Sequence, residues 1–237
     1  GNTGSDGDIF INAAVSWNAP TTLTLDAYRH IEINQAITAS DAEGTLVLKY
    51  GQGASGGVIN GTAASYRINA PVNLQAGENF STQLGSAGTV KNYYVITDLG
   101  SWDSDVAEDL QGIRDNVNRH FALGANIDAT ATSSWNTNAG FEPLGNSSGQ
   151  FTGDFEGLGH TITGLTINRP TTDYVGLFGA AAGNSISNVS LVNAAITGQN
   201  RVGALVGAME NGSISNSSAS GTVEGGMDVG GLVGQSY

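Results

Sequence analysis

Apolar and polar residues alternate along the first third of the chain. In "DIFINAAVSW", "TTLTLDAY", "RHIEINQAIT" and "GTLVLKYG", the residues Ile9, Ile11 and Val15, Leu23 and Leu25, Ile31 and Ile33, and Leu46 and Leu48 fall on one face at a spacing of two. Successive side chains of an extended chain point to opposite sides, so the pattern predicts short strands over about residues 7 to 75, each half-buried. A smaller signature crosses this region: an apolar β-branched residue, Asn, any residue, Ala or Pro, and another apolar β-branched residue. It occurs as "INAAV" from Ile11, "INQAI" from Ile33, "INAPV" from Ile68 and "VNAAI" from Val192. Asn12, Asn34, Asn69 and Asn193 thus hold equivalent places, expected to be corners where an amide bonds its own backbone or stacks on an Asn of the next turn.

The pattern changes over residues 103 to 121, "DSDVAEDLQGIRDNVNRHF". Val106, Leu110, Ile113 and Val117 recur at helical spacing, with Asp105 and Glu108 placed as a capping box. One short amphipathic helix is predicted around residues 105-119, packed on the β-body as a lid or corner piece. Beyond it, "FTGDFEGLGHTITGLTINRP" reads as two strands around a Gly-rich turn.

The chain then repeats itself. "VGLFGAAAGNSISN" from Val175 returns as "VGALVGAMENGSISN" from Val202 and again as "VGGLVGQSY" from Val229, a period of 27 residues, while Ile186 maps to Ile214 with one residue inserted. A repeat of this size cannot bury its own apolar face and must stack on a neighbour. Propeller blades need about 40 residues, and helical or leucine-rich repeats need residues that are scarce here. Three strands of about five residues and three turns fill one coil of a β-solenoid. The expected fold class is all-β, a right-handed parallel β-helix, the hand following from the bias of parallel crossovers. One continuous solenoid is expected, with β-helix coils over 1-97, a helix-containing insertion and loop over 98-150, and repeat coils over 151-237. The Val-Gly-x-Leu-x-Gly segments suit a wall where backbones approach closely. Because the chain starts at Gly1 and breaks off within its third copy, it reads as a piece of a longer rod with Tyr237 on an exposed edge.

Composition agrees with turns and strands: 35 Gly, and only 12% charged residues. A net charge of −13 with 8 Lys plus Arg opposes binding to nucleic acid or an anionic membrane. No apolar run approaches the roughly 18 residues of a membrane span, so no membrane insertion is expected. The absence of Cys rules out disulfides and thiolate metal sites. It also suits a chain that crosses an outer membrane unfolded.

The segments "VGLFG", "VGALVG" and "VGGLVG" resemble the GLUG-type repeat of bacterial surface proteins, and "FTGDFEGLGHTITGLTINRPTTDYVGLFG" is similar to its usual lead-in. "GDIFINAAVSWNAPTTLTLDAYRHIEINQAIT" resembles the repeats of filamentous-haemagglutinin-like adhesins exported by two-partner secretion. The resemblance implies a monomeric β-helical rod, secreted and presented at the bacterial cell surface or in the extracellular matrix, serving aggregation, biofilm attachment or host adhesion. Its implied partners are exopolysaccharide or glycan and the rest of the parent adhesin. The alternatives are a shaft with no ligand of its own and a polysaccharide lyase or hydrolase.

Candidate chemistry is sparse. Asp154 and Glu156 alternate by two near His160, but a solvated turn beside a Gly-rich hairpin explains them as well. Asp103, Asp105 and Asp109 could offer oxygen ligands to Ca²⁺, although Val106 and Leu110 stand where an EF-hand needs ligands and helix capping accounts for the acids. His30, His120 and His160 are far apart, with no HExxH and no Ser-His-Asp spacing. GLUG-type repeats also accompany metallopeptidase domains, a domain this chain does not contain, and no enzymatic activity or cofactor is expected. A glycan would need aromatic platforms flanked by amide or carboxylate groups. The loop "SSWNTNAGFEPLGNSS", with Trp135, Asn136, Asn138 and Phe141, is the first candidate, and Trp102 is a second platform.

Overall fold

Ile31, Ile33, Leu46 and Leu48 are fully buried while Glu32 and Val47 between them are partly exposed, the alternation that makes a half-buried strand. The computed structural model describes residues 7–237 and is all-β, with strands that pair mostly in parallel. The chain divides into two compact units, Gly1–Val95 and Ile96–Tyr237. No helix among the described residues is long and apolar enough to cross a membrane.

In the first unit three columns of strands run in parallel. Ile9–Ile11 pairs with Ile31–Ile33, which pairs with Tyr66–Ile68. Val15–Trp17, Ile37–Ala39 and Val72–Asn73 form the second column, and Thr22–Asp26, Thr45–Tyr50 and Gly77–Leu84 the third. The expected asparagine stack is present at Asn12, Asn34 and Asn69. Each Asn Nδ2 donates to the Oδ1 of the preceding one, at 2.9 Å across 22 residues and 2.7 Å across 35. The longer step is absorbed by a hairpin, Val58–Ile59 against Thr62–Ala63. Its loop is Asn60-Gly61 at φ of 50° and 79°, the pair that suits a tight hairpin turn.

The second unit stacks equivalent residues of successive repeats. Phe121, Phe155, Ile186 and Ile214 stand in one column, Ile127, Ile162, Leu191 and Ala219 in another, and Phe178, Val206 and Val233 in a third. The buried Phe178 ring sits 4.7 Å from Phe151 and 5.2 Å from Phe155. The change from 27 to 28 residues has a location. Val175 pairs with Val202, but Phe178 already pairs with Val206, so the second copy gains a residue at Ala204-Leu205. The register returns inside Ser190–Thr197, where it shifts between Leu191 and Ala194. Asn193 is therefore a bulge at φ 55° whose N–H donates to Ser220 Oγ, rather than a member of an asparagine stack.

Backbone bends recur with the same period. Tyr174, Arg201 and Asp228, each just before a Val-Gly pair, have φ of 62°, 55° and 54°, and Asn188 and Asn216 have 56° and 49°. The repeated glycines meet backbone: a Cβ on Gly207 would lie 2.5 Å from Gly179 O, and one on Gly234 2.6 Å from Gly207 O. The close approach expected of the Val-Gly-x-Leu-x-Gly wall is thus made by backbone against backbone.

The helix expected over 105-119 is reduced to a five-residue 3-10 helix, Gln111–Asp115. Leu110 and Ile113 are buried, but Val106 is 50% exposed. Here the chain bonds sideways instead of along itself: Leu110 N donates to Asp98 O and Gln111 N to Leu99 O. Gly112 fits where a Cβ would lie 1.8 Å from Val106 O. The capping box does not form, and no side chain caps Leu110.

Candidate functional site

Trp135 lies on a 3-10 stretch, Thr130–Asn138, that is broken near its end. Asp128 starts it, accepting from Thr130 N at 3.0 Å and Thr130 Oγ1 at 2.7 Å, and these bonds hold its carboxyl below the usual carboxylate range. Thr132, Ser133 and Ser134 hydroxyls each bond a carbonyl three residues back. The backbone then turns extended at Trp135 and left-handed at Asn136, Thr137 and Asn138, with φ of 51°, 57° and 67°. Consecutive non-glycine residues in that region are strained, at about 1 kcal/mol each. Asn136 Nδ2 donates to Gly140 O at 2.8 Å and closes the loop. Trp135 and Asn136 are left half-buried and Asn138 exposed. Phe141, expected beside them, is instead fully buried, its N–H on Thr166 O. It packs the core because the chain there has already turned inward.

Trp102 is 53% exposed. Arg114 ties its carbonyl, at 3.4 Å, to the Glu142 carboxylate, at 2.8 Å. The buried Gln111 side chain pairs with the Glu142 backbone, accepting from N and donating to O. Of the acidic candidates, Asp103 accepts from Ser101 Oγ, Asp105 is exposed, and Asp109 is buried and accepts from Ser104 Oγ at 2.6 Å and Gly112 N at 2.8 Å. Among the described residues no three His, Cys, Asp or Glu side chains form a group that could hold a metal ion.

Asp154, Glu156 and His160 are buried, not exposed at a solvated turn, and each has its own structural partners. Glu156 accepts from Asn188 Nδ2 at 2.8 and 3.1 Å, Ser187 Oγ at 2.8 Å and Leu158 N at 2.9 Å. Asn216 Nδ2 donates in turn to Asn188 Oδ1, so a polar column runs from this carboxylate through Asn188 to Asn216. Asp154 accepts from Ser185 N, and His160 Nδ1 lies 3.2 Å from Asn126 Oδ1. Satisfied in this way, the carboxylates tie their strand to the neighbouring one.

Sequence reasoning missed Tyr174 and Tyr237, which with Ser147, Gln150, Ala208 and Glu210 line a cleft of about 340 Å³. The available signal was the column of residues preceding each Val-Gly pair, namely Tyr174, Arg201 and Asp228.

The chain is similar to halomucin of Haloquadratum walsbyi, with 38% identity over 207 residues that cover 84% of this chain and 2% of halomucin. It is also similar to a protein of Evansella cellulosilytica described as a Gly-rich membrane protein, with 32% identity over 187 residues, 64% of this chain and 21% of that one. The chain therefore spans only a small part of either relative. No solved structure matches it. Residues 89–221, more than half of the chain, match a family model, and the chain belongs to that family, the M26 IgA1-specific metallo-endopeptidase N-terminal region.

Proposed function

We propose that the chain is a stalk segment of a large, secreted cell-surface adhesin of the filamentous-haemagglutinin-like type. In this reading its coils form a right-handed parallel β-helix that spaces and presents contact surfaces for exopolysaccharide or glycan, and its role is not enzymatic. The observation that carries the reading is the pairing of each repeat with the next at equivalent residues, Ile186 on Ile214 and Val206 on Val233, since a unit that buries its face only against a copy of itself suits extension. Two large relatives, one described as a membrane protein, support a place at the cell envelope. Exposed Trp102 and the strained Trp135 loop supply candidate glycan contacts. In cells producing the parent protein, an antibody to this segment should label the intact surface, and deleting the segment should reduce aggregation. Replacement by an unrelated solenoid of equal length should restore reach but not glycan contact. An unlabelled surface with unchanged aggregation would refute the reading.

A further inference from the structure

We propose that the cleft between Tyr174 and Tyr237 binds a neutral glycan chain. The inference rests on the glycan-contact part of the reading above and gives it a site distinct from the Trp135 loop. Tyr174 has φ 62° and Arg201, one repeat later, φ 55°. The left-handed region is disfavoured for large side chains and persists where surroundings enforce it. Here the surroundings are visible. The Arg201 guanidinium lies 4.8 Å from the Tyr174 ring centre, its Nε donates to Gln235 at 2.7 Å, and its Nη1 faces Asp173 at 3.8 Å. Asp173 also accepts from Asn200 Nδ2 at 2.8 Å. The Tyr174 ring is thus held from one side at the wall of the cleft, before any ligand arrives.

The lining selects the ligand. Two tyrosine rings offer stacking faces for sugar C–H groups, while Gln150, Glu210 and Ser147 offer amide, carboxylate and hydroxyl groups to sugar hydroxyls. Gln150 Nε2 donates to Glu210 Oε2 at 3.2 Å, which aligns that pair. The lining residues carry a carboxylate and no Lys or Arg; Arg201, which reaches Tyr237 Oη at 3.4 Å, is already engaged by Asp173 and Gln235, and with a net charge of −13 on the chain a neutral ligand is favoured over an anionic polymer. The volume lies at the small end of ligand sites, which run from about 300 Å³ upward.

The 237-residue chain should be titrated calorimetrically with cellohexaose, maltohexaose, mannohexaose and oligogalacturonate. At least one neutral hexasaccharide should bind, and the galacturonate should not. Tyr174→Gly, which removes the ring and suits the left-handed backbone, should weaken binding about tenfold, the scale of one aromatic contact, with thermal stability retained. Glu210→Gln should weaken it without changing the fold. A neutral glycan bound equally well by Tyr174→Gly and Glu210→Gln would overturn the site while leaving glycan contact intact. No binding of any neutral probe, or tighter binding of galacturonate, would overturn the proposal, while surface labelling and deletion test the stalk reading separately.

Discussion

Glycine at Gly207 is required by contact, not by φ. A Cβ there would lie 2.5 Å from Gly179 O and 2.7 Å from Arg201 O, all backbone, so nothing nearby can swing away. Gly207→Ala should therefore destabilise the chain by about 2 kcal/mol or more, as overpacking does. Gly149→Ala, where a Cβ meets nothing within 4 Å, should change stability by less than about 0.5 kcal/mol. Chemical denaturation of the two variants reads the difference. Glu156 invites a parallel comparison, because its carboxylate satisfies Asn188, Ser187 and the Leu158 N–H inside the second unit. Glu156→Ala strands these buried donors and should cost about 3 kcal/mol, with Glu156→Gln closer to wild type in the same titration.

One residue also sets a pH dependence. Asp8 receives Arg29 Nη2 at 2.7 Å and Nε at 3.0 Å, and this bonding, opposed by partial burial and aided by the His30 N–H, holds its carboxyl below the ordinary 3.8. A carboxyl with a lower pKa folded than unfolded contributes stability that is complete above the unfolded value and is lost as pH falls through the folded one. The wild-type chain should thus lose about 1 kcal/mol below pH 4 from this pair, a step absent from Asp8→Asn when midpoints are compared at pH 6 and pH 3.

At the scale of elements, the half-buried strands were legible because burial alternates as their hydrophobicity does, from Ile31 and Ile33 to Leu46 and Leu48. The asparagine stack was legible for the same local reason, and it is testable: Asn34→Ala removes both bonds of the Asn12–Asn34–Asn69 ladder and should cost about 1 to 2 kcal/mol, against less for Asn12→Ala, which removes one. The element over 105–119 misled because Val106, Leu110, Ile113 and Val117 keep a helical spacing while the backbone finds partners at Asp98 and Leu99. Spacing reports which side chains are buried, and two of the four are; it does not report where the N–H groups go. The wall at Tyr174 stayed hidden because Tyr, Arg and Asp at the repeated left-handed bend share no chemistry, and nothing in their side chains announces a positive φ.

At the scale of the whole molecule, the 27-residue period was visible in the chain and its consequence is stacking. The extra residue at Ala204-Leu205 and the bulge at Asn193 show how a column tolerates a changed repeat length without losing register. Ser190 and Ser218 stand in register on adjacent strands, with hydroxyls 2.9 Å apart across 28 residues. Because the chain has no Cys, a pair introduced there is read without interference. Paired strand positions lie within the span a disulfide bridges. The most direct measurement is oxidation of Ser190→Cys/Ser218→Cys beside Ser190→Cys/Ser217→Cys. In-register stacking predicts rapid, nearly complete crosslinking and a higher melting temperature for the first pair, with little of either for the second; equal yields from both, or a crosslink favouring the shifted pair, would contradict it.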